Sequence, residues 1–493
     1  MRKRLLPCLF FWLPFALLAQ DAPALYPDFY NGIKAANSIV LDDHINIMQV
    51  NTDNENFDVV AVNNQMQVLW RTSFAGYPFS ISKFKGKIVA VAATEHSTLK
   101  GNGNTYKAFL IDPANGKLLV EKTIYDGTND YMEFPAVFSG DGAYFKFAIR
   151  TSGLERRLHV ALPWFFAIIS MNKYAREINE TREVNVITLN EKLEEASNVK
   201  LPLNTGTMVT WNANKQGDMF IAWLNGPTIE VYKYPDGSKA PVQQLNADVT
   251  FQVDNNAIAS DMMRLLPSAI NGNLVYYGVS YINTNSDAEL GVGRFDFATN
   301  KKLFVAEGFD KDHVKTLQKG FVPVNKKVDD ANLGRRDNLR LRYMAEVSGT
   351  LVTAVTARYT SSGMNGAWVT ENSVLINGYN DDLSARFQLI LPVNYTIPNK
   401  WLPLSFHPSK NKLYVVGNNK SGMTTLNGVY GSLDVTTGKW DKMDLLSKKK
   451  IDNSDYANGD AILWFADTYV VPYFSPKGLM QNKYDITLQQ NNY

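Results

Sequence analysis

Seven times along this chain a tight turn leads into a short, almost wholly apolar run, and the copies stand about 55 to 75 residues apart. Clear copies are Gly86-Lys87-Ile88-Val89-Ala90-Val91, Gly272-Asn273-Leu274-Val275-Tyr276-Tyr277 and Asn411-Lys412-Leu413-Tyr414-Val415-Val416. Related stretches lie at 142–147, 217–222, 349–354 and 467–471. Self-similarity at such a period implies stacked supersecondary units, since one unit cannot bury its apolar face alone. The runs hardly alternate between apolar and polar residues, so they read as strands covered on both faces.

A second motif follows the first within a unit. Leu110-Ile111-Asp112-Pro113-Ala114-Asn115-Gly116-Lys117-Leu118, Phe295-Asp296-Phe297-Ala298-Thr299-Asn300-Lys301-Lys302-Leu303 and Leu433-Asp434-Val435-Thr436-Thr437-Gly438-Lys439-Trp440 each run from a strand end through an Asp and a tight turn to a new strand. Tyr234-Pro235-Asp236-Gly237-Ser238-Lys239 is a looser fourth copy. The Asp carboxylate can accept backbone N–H groups two residues on, and Gly or Asn supplies the positive φ of a hairpin turn.

Each unit therefore reads as a four-stranded antiparallel meander. The whole is predicted to be an all-β β-propeller of seven four-stranded blades. Six blades fall at 79–124, 135–199, 206–245, 268–307, 341–391 and 401–445. The seventh is expected to be composite, 461–473 pairing with 57–72, so that N- and C-terminal strands close the ring and leave no free edge. Another strand-like stretch at 45–50 leaves six or eight blades open. The division that follows is 1–20 signal peptide, 21–56 N-terminal extension, 57–474 propeller with insertions at 152–183 and 308–340, and 475–493 C-terminal tail.

The turns at 111–117 and 433–439 resemble the strand–turn–strand of quinoprotein-like (PQQ-repeat-like) propeller repeats, best over residues 57–124. The resemblance implies fold and little about function. Enzymatic members would imply a quinone cofactor, a calcium ion and often an adjacent cysteine pair, which this chain cannot supply. Other members are non-enzymatic periplasmic scaffolds that assist outer-membrane protein assembly.

The N-terminus bears on where such a protein works. Arg2, Lys3 and Arg4 precede an apolar stretch at 5–18 and small residues before Gln20 and Asp21, the layout of a secretory signal peptide. The stretch is broken by Pro7 and Pro14 and is too short for a membrane span of about 20 residues. Export, to the periplasm or beyond, is expected, with no transmembrane segment after cleavage. Cys8 is the only cysteine. The mature chain thus lacks disulfides, a cysteine nucleophile and thiolate metal ligands. With 50 basic and 48 acidic residues, the chain has no global field for nucleic acid.

The chemistry-bearing residue types form no catalytic pattern. His44, His96, His159, His313 and His407 are the only histidines, and no two stand at metal-ligand spacing. His407, in a loop between strands, is the most plausible functional one. Asp42-Asp43, Asp329-Asp330 and Asp381-Asp382 are adjacent carboxylates, which point to opposite sides of a backbone and read as solvated turn acids. Asp53-Asn54-Glu55-Asn56 and 287–289 offer oxygen ligands for calcium or, more simply, polar turns. No catalytic residue, metal site or cofactor is assigned.

The insertions depart from a regular ring. Residues 152–183 contain Trp164, Phe165, Phe166, Ile168 and Ile169, aromatic and apolar anchors of the kind found at interfaces, or else a buried strand and helix packed over the propeller. Residues 308–340 read as a flexible basic loop carrying Lys326, Lys327, Arg335 and Arg336, suited to an acidic partner or to lipid headgroups, or else simply a solvated loop. These nine residues are the candidate partner-binding set. A periplasmic binding or scaffold subunit, in its most specific form part of an outer-membrane export or assembly complex, is expected. A carbohydrate-active propeller enzyme and a surface ligand-recognition module are the alternatives.

Overall fold

The computed structural model describes residues 24–25, 36–53, 55–98, 101–127, 131–155, 181–201, 207–225, 228–241, 243–248, 262–283, 287–324, 331–334, 339–363, 366–398, 404–421, 425–446, 455–477 and 483–493. The chain folds into a β-propeller of eight antiparallel blades, not seven. Blade 1 is made of Ala36–Val40, Ile45–Asn51, Asn56–Asn63 and Val68–Ala75. Blades 2 to 7 span 77–126, 131–201, 207–248, 263–308, 339–398 and 405–445. Blade 8 combines a split first strand, Tyr456–Ala457 and Leu463–Trp464, with Thr468–Lys477, Lys483–Asn492 and Ala24–Leu25.

The blade count corrects the composite seventh blade. Residues 57–72 do not pair with the C-terminal strands. They are the third and fourth strands of a blade that begins at Ala36, inside the stretch expected to be an extension. The C-terminal strands find partners elsewhere. Residues 483–492, expected to be tail, form a long antiparallel pair with Thr468–Lys477, and Ala24–Leu25 adds the outer edge. Chain ends still close the ring, but through 24–25 rather than 57–72. The first turn of the extra blade is closed by Asp42, whose Oδ1 accepts from His44 N at 2.8 Å and Ile45 N at 2.9 Å.

All seven apolar runs are second strands, and 45–51 is the eighth. Second and third strands are buried on both sides between neighbouring blades, which is why they do not alternate: Val59, Val60 and Ala61 all have no exposed surface. Phe57, Phe74 and Phe109 interlock between blades 1 and 2 with ring centres 4.8–5.9 Å apart. First strands of adjacent blades pack on one another and so surround the axis.

The meander sorts the connections to two ends. The turns between strands 1 and 2 and between strands 3 and 4 lie at one end and run to at most eight residues. The 2–3 hairpins and blade-to-blade links lie at the other. At the tight-turn end, side chains of one blade cap a turn or strand end of the next. Trp70 Nε1 donates to Pro113 O at 2.8 Å, Thr72 Oγ1 to Gly116 O at 2.7 Å, Lys442 Nζ to Asn492 O at 3.3 Å and Gln490 Nε2 to Asn64 O at 2.9 Å.

Candidate partner-binding face

Every long connection among those bounded by described strands emerges at the loop end. The 152–183 insertion leaves blade 3 after Glu155 and returns at Thr181, between the second and third strands. The 308–340 insertion joins blade 5 to blade 6. Its first part is not a flexible loop but helix α1 (Lys311–Gly320). Asp310 caps it, accepting from the N–H groups of Asp312 and His313 at 2.8 Å, and Val314 and Leu317 pack on blades 5 and 6. Lys311, Lys315 and Lys319 lie on its exposed side. A third addition is a three-stranded layer on blade 6, where the long strand Thr350–Gly363 leaves its blade to pair with Gly366–Glu371, which pairs with Tyr395–Pro398.

The nine candidate residues Trp164, Phe165, Phe166, Ile168, Ile169, Lys326, Lys327, Arg335 and Arg336 all lie outside the described residues. What the structure describes is the rim they spring from. At the loop end of blade 3 the strand register sorts charge by face. Glu133 and Glu183 both stand opposite Thr151. They face blade 2, where Tyr125 donates to Glu133 at 3.3 Å. Burial, then these acids, raises the Tyr125 phenol well above its ordinary value. Arg150 pairs across the sheet with Phe134 and Val184, so it and Arg182 project from the opposite side, the side whose Ala148 and Val184 pack on blade 4.

Each arginine lies over an aromatic ring of strand 1. The Arg150 guanidinium carbon is 4.4 Å from the Phe134 centroid, and that of Arg182 is 3.9 Å from the Tyr131 centroid. Burial pulls Arg150 down to about 10. On the facing blade, Glu230 is buried and accepts from Tyr232 at 2.7 Å and Asn225 at 3.3 Å. Sequence reading missed both arginines. Their pairing with Tyr131 and Phe134 depends on a register that no local spacing prints, although two arginines flanking the insertion were visible.

The remaining candidates settle into structural roles where they are described. His407 is in the first strand of blade 7, Ser405–Ser409, not in a loop. It stacks on Trp464 beside Tyr414. His313 pairs with Glu307 at 3.0 Å. Asp382 accepts from Ser384 N at 2.9 Å and Asp53 from Glu55 N at 2.7 Å, as turn acids do. Asp329 and Asp330 lie outside the described residues. Among the described residues no three His, Cys, Asp or Glu side chains come together to hold a metal, and no helix is long and apolar enough to cross a membrane.

No protein-family model and no curated protein matches the chain. Solved structures similar to it include the WD40 domain of SCAP from fission yeast, at 9% identity over 93% of this chain and 96% of that one, with a TM-score of 0.39. The β-propeller domain of the Trilobed protease from Pyrococcus furiosus aligns at 8% identity over 84% and 94%, TM-score 0.38. A PL25 ulvan lyase of the polysaccharide lyases aligns at 9% over 95% and 95%, TM-score 0.41. The quinoprotein-like family suggested by the turns is not shown; the chain is an eight-bladed β-propeller.

Proposed function

We propose that this protein is an exported binding propeller that holds a protein partner on its loop-bearing face. The sorting of all the long connections to one end carries the reading. A rigid ring whose other end is sealed by short, mutually capped turns presents one adaptable surface, the division of labour expected of a binding scaffold. The leader-like N-terminus supports a periplasmic setting, and the apolar, aromatic content of 152–183 supports contact with a membrane-protein partner of an export or assembly complex.

The test is affinity purification of the tagged protein from its native envelope. It runs beside a variant in which 156–180 is replaced by a short Gly-Ser turn, feasible because Ser152 and Thr181 are paired. A membrane protein recovered with the intact chain and lost with the variant is the expected result. Equal recovery from both would place the contact elsewhere, and no partner from either would end the scaffold reading.

A further inference from the structure

Among the described residues Arg150 and Arg182 neither donate a hydrogen bond nor form an ion pair, and two acids of their own sheet, Glu133 and Glu183, face the other way. Each guanidinium carbon lies over a ring centroid, with Arg182 exposed and Arg150 half-buried. The N–H edge of a guanidinium is a rigid fork matched in spacing and planarity to a carboxylate, and a neighbouring ring removes part of its hydration shell. The two arginines are diagonal neighbours on adjacent strands, within the reach of side chains on one sheet face. Two guanidinium groups on one sheet face, over Phe134 and Tyr131, combine the residue types that anchor protein interfaces.

We propose that Arg150 and Arg182 bind carboxylates presented by an acidic segment of a protein partner. The proposal takes from the scaffold reading only that the partner is a protein. The site is assembled by the sheet itself and does not require the insertion.

The experiment is fluorescence polarisation with labelled hexaglutamate on the full chain, with hexaglutamine and a glucuronate hexamer as comparison probes. Hexaglutamate is expected to bind, more weakly as salt rises, and the Arg150→Met/Arg182→Met protein to bind at least about tenfold more weakly, as expected for losing charge-assisted bonds. Arg182 is exposed, so Arg182→Met alone keeps the wild-type melting temperature while still weakening binding. Arg182→Lys, which keeps the charge and loses the fork, also weakens it. Equal binding by the double variant, no binding by the wild type, or tighter binding of the glucuronate hexamer overturns the proposal. The two readings fail separately. A partner that still co-purifies with the double variant leaves the scaffold and removes the carboxylate site. Hexaglutamate binding without any recovered partner does the reverse.

Discussion

Glu371 has no exposed surface, yet it sits between two cations. Arg342 Nε is 3.0 Å away, Arg358 Nε 3.8 Å, and Tyr395 donates its hydroxyl to the same carboxylate. The cluster ties the added layer of blade 6 to the strand lining the axis. Removing one member of a buried pair strands the other charge, so Glu371→Gln is expected to cost about 3–5 kcal/mol in chemical denaturation; a loss below about 1 kcal/mol would contradict this. His407 makes a pH-dependent contribution. Its ring lies 4.8 Å from Trp464 and 8° from parallel, and burial pushes its pKa down to about 4. The folded chain keeps it neutral while the unfolded chain protonates it near its ordinary value of about 6.5. Between those values the unfolded state binds more protons, so this contribution is full above pH 6.5 and lost as pH falls toward 4, on the order of 3 kcal/mol in all. Melting temperatures of wild type and His407→Phe measured between pH 7.5 and 4 should diverge in slope. Parallel curves would show that His407 titrates normally.

At the scale of the element, the 3–4 turn is the unit that the sequence advertised. Asp112, Asp296 and Asp434 each accept backbone N–H groups two residues on, at 3.1, 2.9 and 2.8 Å. Equivalent turns escaped notice where Asn replaces Asp: Asn63 accepts from Gln65 N at 3.0 Å and Asn190 from Lys192 N at 2.9 Å. Amide and carboxylate do the same local job, but only the form that opens on Asp and closes on Gly-Lys or Asn-Lys stood out as a repeat. Gly116, in a 3–4 turn, and Gly86, in the 1–2 turn of the same blade, separate two demands on tight turns. Both have φ near +70°, but a Cβ at Gly116 would meet Trp70 and Thr72 of the preceding blade, while one at Gly86 would meet nothing. Gly86→Ala should therefore cost about 1 kcal/mol, the backbone strain alone. Gly116→Ala should cost about 1–3 kcal/mol more because the Trp70 contact must give way. Equal losses in urea denaturation would mean that the Trp70 seam yields freely.

For the whole molecule, the question is how a ring made of one chain stays shut. Blade 8 is clamped on both sides by buried asparagines. Asn46 of blade 1 donates to Trp464 O at 2.7 Å and accepts from Trp464 N at 3.3 Å. Asn418 of blade 7 does the same for Ala457, at 3.0 and 2.8 Å. Each amide replaces both backbone bonds that a neighbouring strand would have made. Asn46→Leu leaves a buried N–H and C=O unpaired at the closing seam, an expected loss of about 2–5 kcal/mol. Hydrogen exchange should show blade 8 opening first in that variant. Protection lost evenly around the ring would count against a local seam.

Local chemistry alone identified strands, turns and their repetition. Burial on both faces writes itself as unbroken apolar runs, and a tight turn needs a particular residue at a particular place. It also marked where the ring departs from regularity, at 152–183 and 308–340. The blade count was not local. Whether 57–72 pairs with 36–51 or with the C-terminus depends on which strands meet across the ring, and strand-forming power at 45–51 is the same in either case. The placement of charge was decided in the same way. Only the antiparallel register puts Glu133 and Glu183 on one side of blade 3 and Arg150 and Arg182 on the other, because a shift of one residue exchanges the two faces of a sheet.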